Sequence, residues 1–360
     1  MTKKVLFVGS FLQKTETGGF GGQMFACTTL VNSSLSNDIE WKKLDTTSIN
    51  LKISIFKRIF KALIRLCKFI FYILFNKFTH ILIFSSNGLS FIEKGLMAII
   101  ASKFTKSKII FAPRSGRLKN EINTSRIKFI KNVFKSSDVV ICQGNSWFKL
   151  FSEKVIDNNK KFIVQKNWID TKKYRPVFNK SNKIIEILFL GSLEKDKGIF
   201  DLLIAGNYLL LNGITNFRFN IAGKGKGELE LIAKIKEMQL SNYFVFFGWV
   251  GGDEKLSLFD RSHIFVLPSY FEGMPNALLE SMASGLACLA SNIDSINDVI
   301  LEKNGVTFDR NNDIDFSKNL QNLVLNEELR LELGLNARKY IEQEHSIKIA
   351  INNFKNNILN

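Results

Sequence analysis

The sequence predicts an α/β protein of two doubly wound domains, each built on a parallel sheet, and three observations carry that expectation. Short runs rich in Val, Ile and Phe alternate with stretches of helical length: Lys4–Val8, His80–Phe84, Lys108–Phe111, Val139–Cys142 and Phe162–Gln165. A polar, lysine-rich stretch, Thr171–Lys183, interrupts the pattern, which restarts with Ile185–Leu190, Phe217–Ala222, Phe244–Phe247 and Ile264–Leu267. The length of 360 residues suits two domains at roughly 100 to 200 residues each, so neither needs a disulfide or metal staple. The expected division is residues 1–172 and residues 173–345. In such a pair the ligand site is expected in the cleft between the domains, at the carboxyl ends of the strands.

Composition narrows the class. Hydrophobic residues at 46% and charged residues at 23% are ordinary for a globular chain and argue against disorder, collagen-like repeats and a multi-spanning membrane protein. Charge is unevenly placed: 32 basic and 10 acidic residues run to Lys180, net +22, and 18 and 23 follow it, net −5. A nucleic-acid binder has that asymmetry, and so does a protein whose first domain lies on an anionic membrane. Because no helix-turn-helix or RNA-binding signature is found, a nucleic-acid partner is not expected. Cys27, Cys67, Cys142 and Cys288 form no C-x-x-C pair, which points to a reducing, cytoplasmic setting and to no metal site.

Taken in order, Met1–Leu12 reads as a first strand and not a leader, since Gly9 and Ser10 interrupt its apolar run. The glycine run Gly18, Gly19, Phe20, Gly21 and Gly22 precedes a helical pattern beginning near Gln23, and glycines there let backbone approach a ligand. Lys52–Lys77 is long, apolar and basic, yet its longest uninterrupted apolar run, Phe69–Phe75, is far short of the about 20 residues that span a bilayer. At about 100° per residue, Lys57, Lys68, Lys61, Arg65 and Arg58 fall on one narrow stripe of that helix. The segment is expected to lie in a membrane interface, with Phe56, Ile59, Phe60 and Leu63 reaching the acyl boundary; a core helix with one solvated charged stripe is the alternative. Pro113 to Arg117 follow a strand, and Arg114 and Arg117 there suit a phosphate-bearing acceptor.

The most informative stretch is F-V-L-P-S-Y-F-E-G-M-P-N-A-L-L-E, Phe265 to Glu280. A strand ends at Leu267, a loop carries Glu272, Gly273 and Met274, and Pro275 sits where a first helical residue would be. Free N–H groups and the positive end of the helix dipole make such a turn a phosphate site. Glu272 and Glu280 are expected roughly 12 Å apart at about 1.5 Å rise per residue, about the length of a sugar plus a diphosphate.

With its seven residues between two glutamates, E-G-M-P-N-A-L-L-E-S-M-A-S-G resembles the signature of the family 4 retaining glycosyltransferases, the group 1 type. G-S-L-E-K-D-K-G (Gly191 to Gly198), A-G-K-G (Ala222 to Gly225), F-G-W-V (Phe247 to Val250) and N-W-I-D (Asn167 to Asp170) are similar to family landmarks in the same order. The resemblance covers nearly the whole chain and implies the GT-B fold, two Rossmann-like domains facing across a cleft, with the C-terminal helix (residues 346–360, helical over Ser346–Ile358) crossing back onto the first. It implies sugar transfer with retention from a nucleotide-diphosphate donor to a lipid-linked saccharide, as in cell-surface polysaccharide synthesis, on the cytoplasmic face of a membrane. The nucleotide sugar would be a substrate, and no metal or other cofactor is expected.

By the same resemblance Glu280 would hold the donor's ribose hydroxyls, Glu272 with the N–H groups of Gly273 and Met274 the donor sugar, and Lys197 the diphosphate. Gly191, Ser192, Gly223, Gly225 and Pro275 would complete the donor site, with Trp249 either stacked on the base or part of the core. The glycine run Gly18 to Gly22 would border the diphosphate and the acceptor. Two departures stand out: none of His80, His263 and His345 lies where the family carries a sugar-contacting histidine, and Ser192 stands where an arginine is common. Ala287 and Asp294–Asn297 also depart from the family's usual pattern. Asp313-Ile314-Asp315 has metal-binding D-x-D spacing, but with no strand expected before it, it is set aside. Gly223-Lys224-Gly225-Lys226-Gly227 lacks the G-K-[ST] ending of an NTPase loop. A nucleotide-sugar epimerase, which would need acid and base groups in the cleft and ignore lipid, is the rival enzyme; a basic membrane or polyanion adaptor, unable to bind any sugar nucleotide, is the non-enzymatic rival.

Overall fold

The computed structural model describes residues 2–12, 22–47, 54–156, 161–178, 183–310 and 312–359. Two compact units result, Met1–Asn167 with Ile347–Asn360, and Trp168–Ser346. The division falls a few residues before the expected 172/173. Trp168 and Tyr174 are buried, the Ile169 N–H donates to the His345 carbonyl at 2.9 Å, and Asp170 caps the turn Thr171–Lys173, so the polar stretch begins inside the second unit.

The first unit holds strands β1 (Lys3–Gly9), β2 (Ile39–Asp45), β3 (His80–Ser85), β4 (Lys108–Pro113), β5 (Val139–Cys142) and β6 (Phe162–Val164), all parallel, in the order β2-β1-β3-β4-β5-β6. Central β3 is buried along its whole length, as a sheet covered on both faces requires. Much of the Phe content goes into one core, where rings meet edge to face: Phe91 with Phe111 at 5.4 Å, and Phe134 with Phe151 at 5.0 Å. The C-terminal segment, a helix over Ile347–Asn353 continued by a wider π-helical turn over Phe354–Ile358, belongs to this unit. Phe354 and Ile358 are buried there, and Lys3 Nζ donates to the Leu359 carbonyl at 2.5 Å.

The expected basic helix spans Ile55–Phe75 and packs its inner face, Leu66, Phe69 and Ile73, against the first unit's core and helix Leu89–Phe104. Its outward face is apolar: Phe56 is 80% and Phe75 71% exposed, with Phe60, Leu63, Ile64, Phe71 and Leu74 between them. Lys57, Arg58, Lys61 and Lys68 flank that face and are exposed. Arg65 departs from the expectation: half-buried, it turns onto the neighbouring helix and makes a bidentate pair with Glu93, Nε to Oε1 at 2.6 Å and Nη2 to Oε2 at 2.9 Å. Of the described helices none is long and apolar enough to cross a membrane.

The second unit holds β7 (Ile185–Leu190), β8 (Phe217–Ala222), β9 (Phe244–Gly248), β10 (Ile264–Leu267), β11 (Ala287–Ser291) and β12 (Val306–Phe308), parallel, in the order β12-β11-β10-β7-β8-β9. Strand order reverses where β10 lies beside β7, with Ile264 opposite Ile187 and Phe265 opposite Leu188. Since β12 ends at Phe308, a strand does precede Asp313-Ile314-Asp315. The Asp315 carboxylate is occupied by the Asp309 N–H at 2.7 Å and the Asn319 amide at 2.9 Å.

Candidate active site

In a doubly wound sheet, chains leaving two adjacent strands in opposite directions open a crevice at their carboxyl ends. In the second unit those strands are β7 and β10, and each feeds one of the two residues expected to carry the chemistry. After β7 a short 3₁₀ turn, Lys195–Lys197, presents Lys197; after β10 the loop Pro268–Gly273 presents Glu272. Lys197 Nζ meets Glu272 Oε1 at 2.6 Å and also lies 3.3 Å from the Phe271 carbonyl. Both side chains are largely shielded from water, which strengthens the pair and any competitor for it.

Local geometry holds the turn and the loop together. Gly198 has φ +69°, and a Cβ there would stand 2.0 Å from the Pro268 carbonyl oxygen, so only glycine lets the Lys197 turn lie against the Glu272 loop. The Tyr270 N–H donates to the Asp196 carbonyl at 2.9 Å. Arg310, absent from the sequence expectations, clamps the loop from beneath: it donates to the Pro268 carbonyl, pairs with Asp201 at 2.9 Å and stacks 3.3 Å from the Tyr270 ring. Gly198→Ala is therefore expected to cost about 2 kcal/mol or more from positive φ and the carbonyl clash, read as a lower denaturation midpoint, and to lower turnover with it. A variant as stable as its parent would show that the turn does not rest on Pro268.

Glu280 sits in the second turn of helix Asn276–Ala283 and is buried. Its Oε1 accepts from Lys255 Nζ at 2.8 Å, and the Tyr174 hydroxyl hydrogen-bonds to it. Burial first, then the Glu280 charge, push the Tyr174 phenol well above its ordinary range, so it stays a neutral donor. Neither Lys255, from helix Gly252–Arg261, nor Tyr174, just after the unit boundary, stood out in sequence; both lie far from Glu280 along the chain. Pro275 is extended, at ψ 118°, and caps the helix instead of opening it, one residue from the expected position. The Ser295 hydroxyl, from the short turn Asp294–Asn297, donates to the Glu272 carbonyl at 2.9 Å.

The remaining candidates divide. Gly223 and Gly225 are explained by backbone packing: added Cβ atoms would stand 1.7 Å from the Gly191 carbonyl oxygen and 2.2 Å from that of Leu193. Leu193 N–H to Lys224 O at 3.1 Å and Gly227 N–H to Leu193 O at 2.8 Å zip the two loops together. Gly191 is half-buried, Ser192 exposed, Gly273 half-buried and Met274 buried in the same neighbourhood of strand ends. Trp249 is no core residue: it follows edge strand β9, is 39% exposed and lies over Gly251.

In the first unit, Gly22 opens helix Gly22–Val31, whereas Gly18, Gly19, Phe20 and Gly21 lie outside the described residues. Arg114 is not displayed as a free cation. Its guanidinium bonds the Asn167 side-chain oxygen at 2.5 Å and lies 4.9 Å over the Phe84 ring, and burial pushes its pKa down to about 10. Arg117 is exposed at the start of helix Leu118–Ile122. Of the histidines, His80 opens β3 at the amino end of its sheet with its pKa lowered to about 4 by burial, and His263 Nδ1 accepts the Glu186 N–H at 3.0 Å. His345 is buried in the second unit.

Residues 170–340 match the family model described as glycosyl transferases group 1. A relative from Escherichia coli, UDP-Gal:alpha-D-GlcNAc-diphosphoundecaprenol alpha-1,3-galactosyltransferase, is 26% identical over 64% of this chain and 65% of its own. A Campylobacter jejuni alpha-1,4-N-acetyl-D-galactosaminyltransferase, named for a diNAcBac-PP-undecaprenol-linked substrate, is 28% identical over 70% of this chain and 68% of its own. Among solved structures, Anabaena HepE in complex with UDP and glucose superposes with a TM-score of 0.76 at 12% identity, covering 98% of both chains. The chain is thus a glycosyltransferase of GT-B fold whose residues 170–340 match the group 1 glycosyl transferases.

Proposed function

We propose that the protein transfers a sugar, with retention of anomeric configuration, from a nucleotide-diphosphate donor to a lipid-linked saccharide during cell-surface polysaccharide synthesis. The observation that carries the proposal is the Lys197–Glu272 pair at the point where the second sheet reverses its strand order. An incoming diphosphate competes with Glu272 for the Lys197 ammonium. Binding then hands Lys197 to the phosphate and releases the Glu272 carboxylate to accept hydroxyl hydrogen bonds from the donor sugar. Glu280, oriented by Lys255 and Tyr174, receives the ribose hydroxyls. As the bond from the anomeric carbon to the diphosphate breaks, Lys197 stabilises the charge that gathers on the leaving oxygen. That oxygen takes the proton from the acceptor hydroxyl, whose oxygen bonds to the anomeric carbon from the same face. No protein base is used.

The undecaprenol-linked substrates in the two relatives' names support the lipid-linked acceptor, and the apolar outward face of helix Ile55–Phe75 with its flanking lysines supports attachment to an anionic membrane surface. The test is thermal stabilisation of the purified protein by UDP-, GDP- and ADP-sugars, UDP-sugars being expected to act. A ligand at about 100 times its Kd adds about 2.7 kcal/mol, a shift of several degrees. Glu280→Ala is expected to abolish the shift. Should no sugar nucleotide act while vesicle binding stays strong, an adaptor role replaces catalysis.

A further inference from the structure

The first unit has its own reversal of strand order, where β1 lies beside β3, and a cavity of ≈ 430 Å³ opens there. Its polar lining includes Ser10 just after β1, Thr46 just after β2 and Ser90 in the first turn of helix Leu89–Phe104, which follows β3. Helices Ile55–Phe75 and Leu89–Phe104 add leucine and isoleucine side chains to the lining, Leu63 and Leu89 among them still half-exposed.

Charge distinguishes this cavity from an apolar seam between two helices. Glu93, the acidic residue in its wall, is spent on the bidentate pair with Arg65. Arg58, Lys61 and Lys94 line the same space and pair with no described carboxylate. Lys94 is 4% exposed, and its ammonium is held by the Ser90 hydroxyl at 2.7 Å. Burial pushes its pKa down to about 8, more than the nearby Glu93 and Asp45 charges restore. A buried cation of this kind weakens the fold unless an anion joins it, and such local inconsistencies mark functional sites.

We propose that this groove binds the phosphate head and the first stretch of chain of a lipid diphosphate, the anchor of the acceptor, with Lys94 and Lys61 on the head and Leu63 and Leu89 on the chain. The inference rests on the lipid-linked acceptor reading and gives that acceptor a place in the first unit. An amphiphile of that chemistry fits because cationic and apolar side chains line one cavity. A sugar nucleotide would leave the apolar lining unused.

The test is equilibrium binding of farnesyl diphosphate to the full chain, with inorganic diphosphate, farnesol and phosphatidylglycerol vesicles as separate arms. Farnesyl diphosphate is expected to bind at least tenfold more tightly than either of its parts. Lys94→Met, which relieves a buried charge and should fold at least as well as the parent, is expected to weaken it tenfold or more, and Leu63→Gln, on a half-exposed residue, about fivefold. Vesicle binding of Lys94→Met is expected to match the parent. Indifference of farnesyl diphosphate to both substitutions would overturn the inference, as would a parallel loss of vesicle binding in Lys94→Met, which would assign the lysine to membrane headgroups. Transfer to a lipid-linked acceptor, measured alongside, separates the two readings. Transfer with substitution-blind farnesyl diphosphate binding removes the groove alone, and Lys94-dependent binding without transfer removes the acceptor assignment alone.

Discussion

Lys197→Ala is expected to lower kcat by about two to three orders of magnitude, the scale of losing one preorganised charge-stabilising group. The effect should fall on kcat more than on donor KM, because charge on the leaving diphosphate oxygen is larger in the transition state than in the bound donor. Position supports that magnitude: the ammonium stands 2.6 Å from Glu272, shielded from solvent, on a turn fixed by Gly198 against Pro268. Substitution also leaves Glu272 without its cation, so Glu272→Gln is the necessary companion. It removes the competing carboxylate while keeping the hydrogen-bonding shape, and a large loss there too would assign Glu272 to the sugar and not merely to Lys197. Steady-state kinetics with a saturating acceptor decides the matter. A loss below fivefold for Lys197→Ala would end its assigned role.

Sequence made the frame of this site legible and left its supports hidden. The strands read as apolar runs, β7 and β10 among them, were rich in Ile, Leu, Val and Phe, with Glu186 the one break in β7, which is what two covered faces demand. Three strands were not legible. Edge strand β2, I-E-W-K-K-L-D, buries few of its side chains, β11, A-C-L-A-S, is buried but made of small residues, and β12 is three residues long. Glu272, Glu280 and Lys197 were found because each follows a strand in a short motif. Arg310, Lys255 and Tyr174 were not, because tertiary packing alone brings them to the Glu272 loop and to Glu280. Helical spacing placed Arg65 with the other cations of its helix, and on an isolated helix it would stand there; a carboxylate on the next helix, Glu93, turns it inward.

That displacement alters the membrane prediction. Four cations, Lys57, Arg58, Lys61 and Lys68, remain to face anionic headgroups beside the apolar outward face of helix Ile55–Phe75. At roughly 1 kcal/mol for each basic residue near the surface, replacing all four with Gln is expected to lower binding to phosphatidylglycerol vesicles by about 4 kcal/mol, close to a thousandfold. The loss should shrink as ionic strength rises, since these are solvent-exposed charges. Arg65→Gln should behave differently: vesicle binding stays near the parent's, while stability falls by about 1 to 3 kcal/mol, because a shielded Glu93 loses its partner. Phe56→Ser with Phe60→Ser tests the apolar half, each ring contributing about 1.5 to 3 kcal/mol if fully buried in the acyl boundary. The two sets distinguish an inserted helix from an electrostatically held one. Loss in both places the helix in the interface, and loss in the lysine set alone leaves it on the headgroups. Vesicle binding unchanged in the four-cation variant would return this helix to the role of a core helix with a solvated charged stripe.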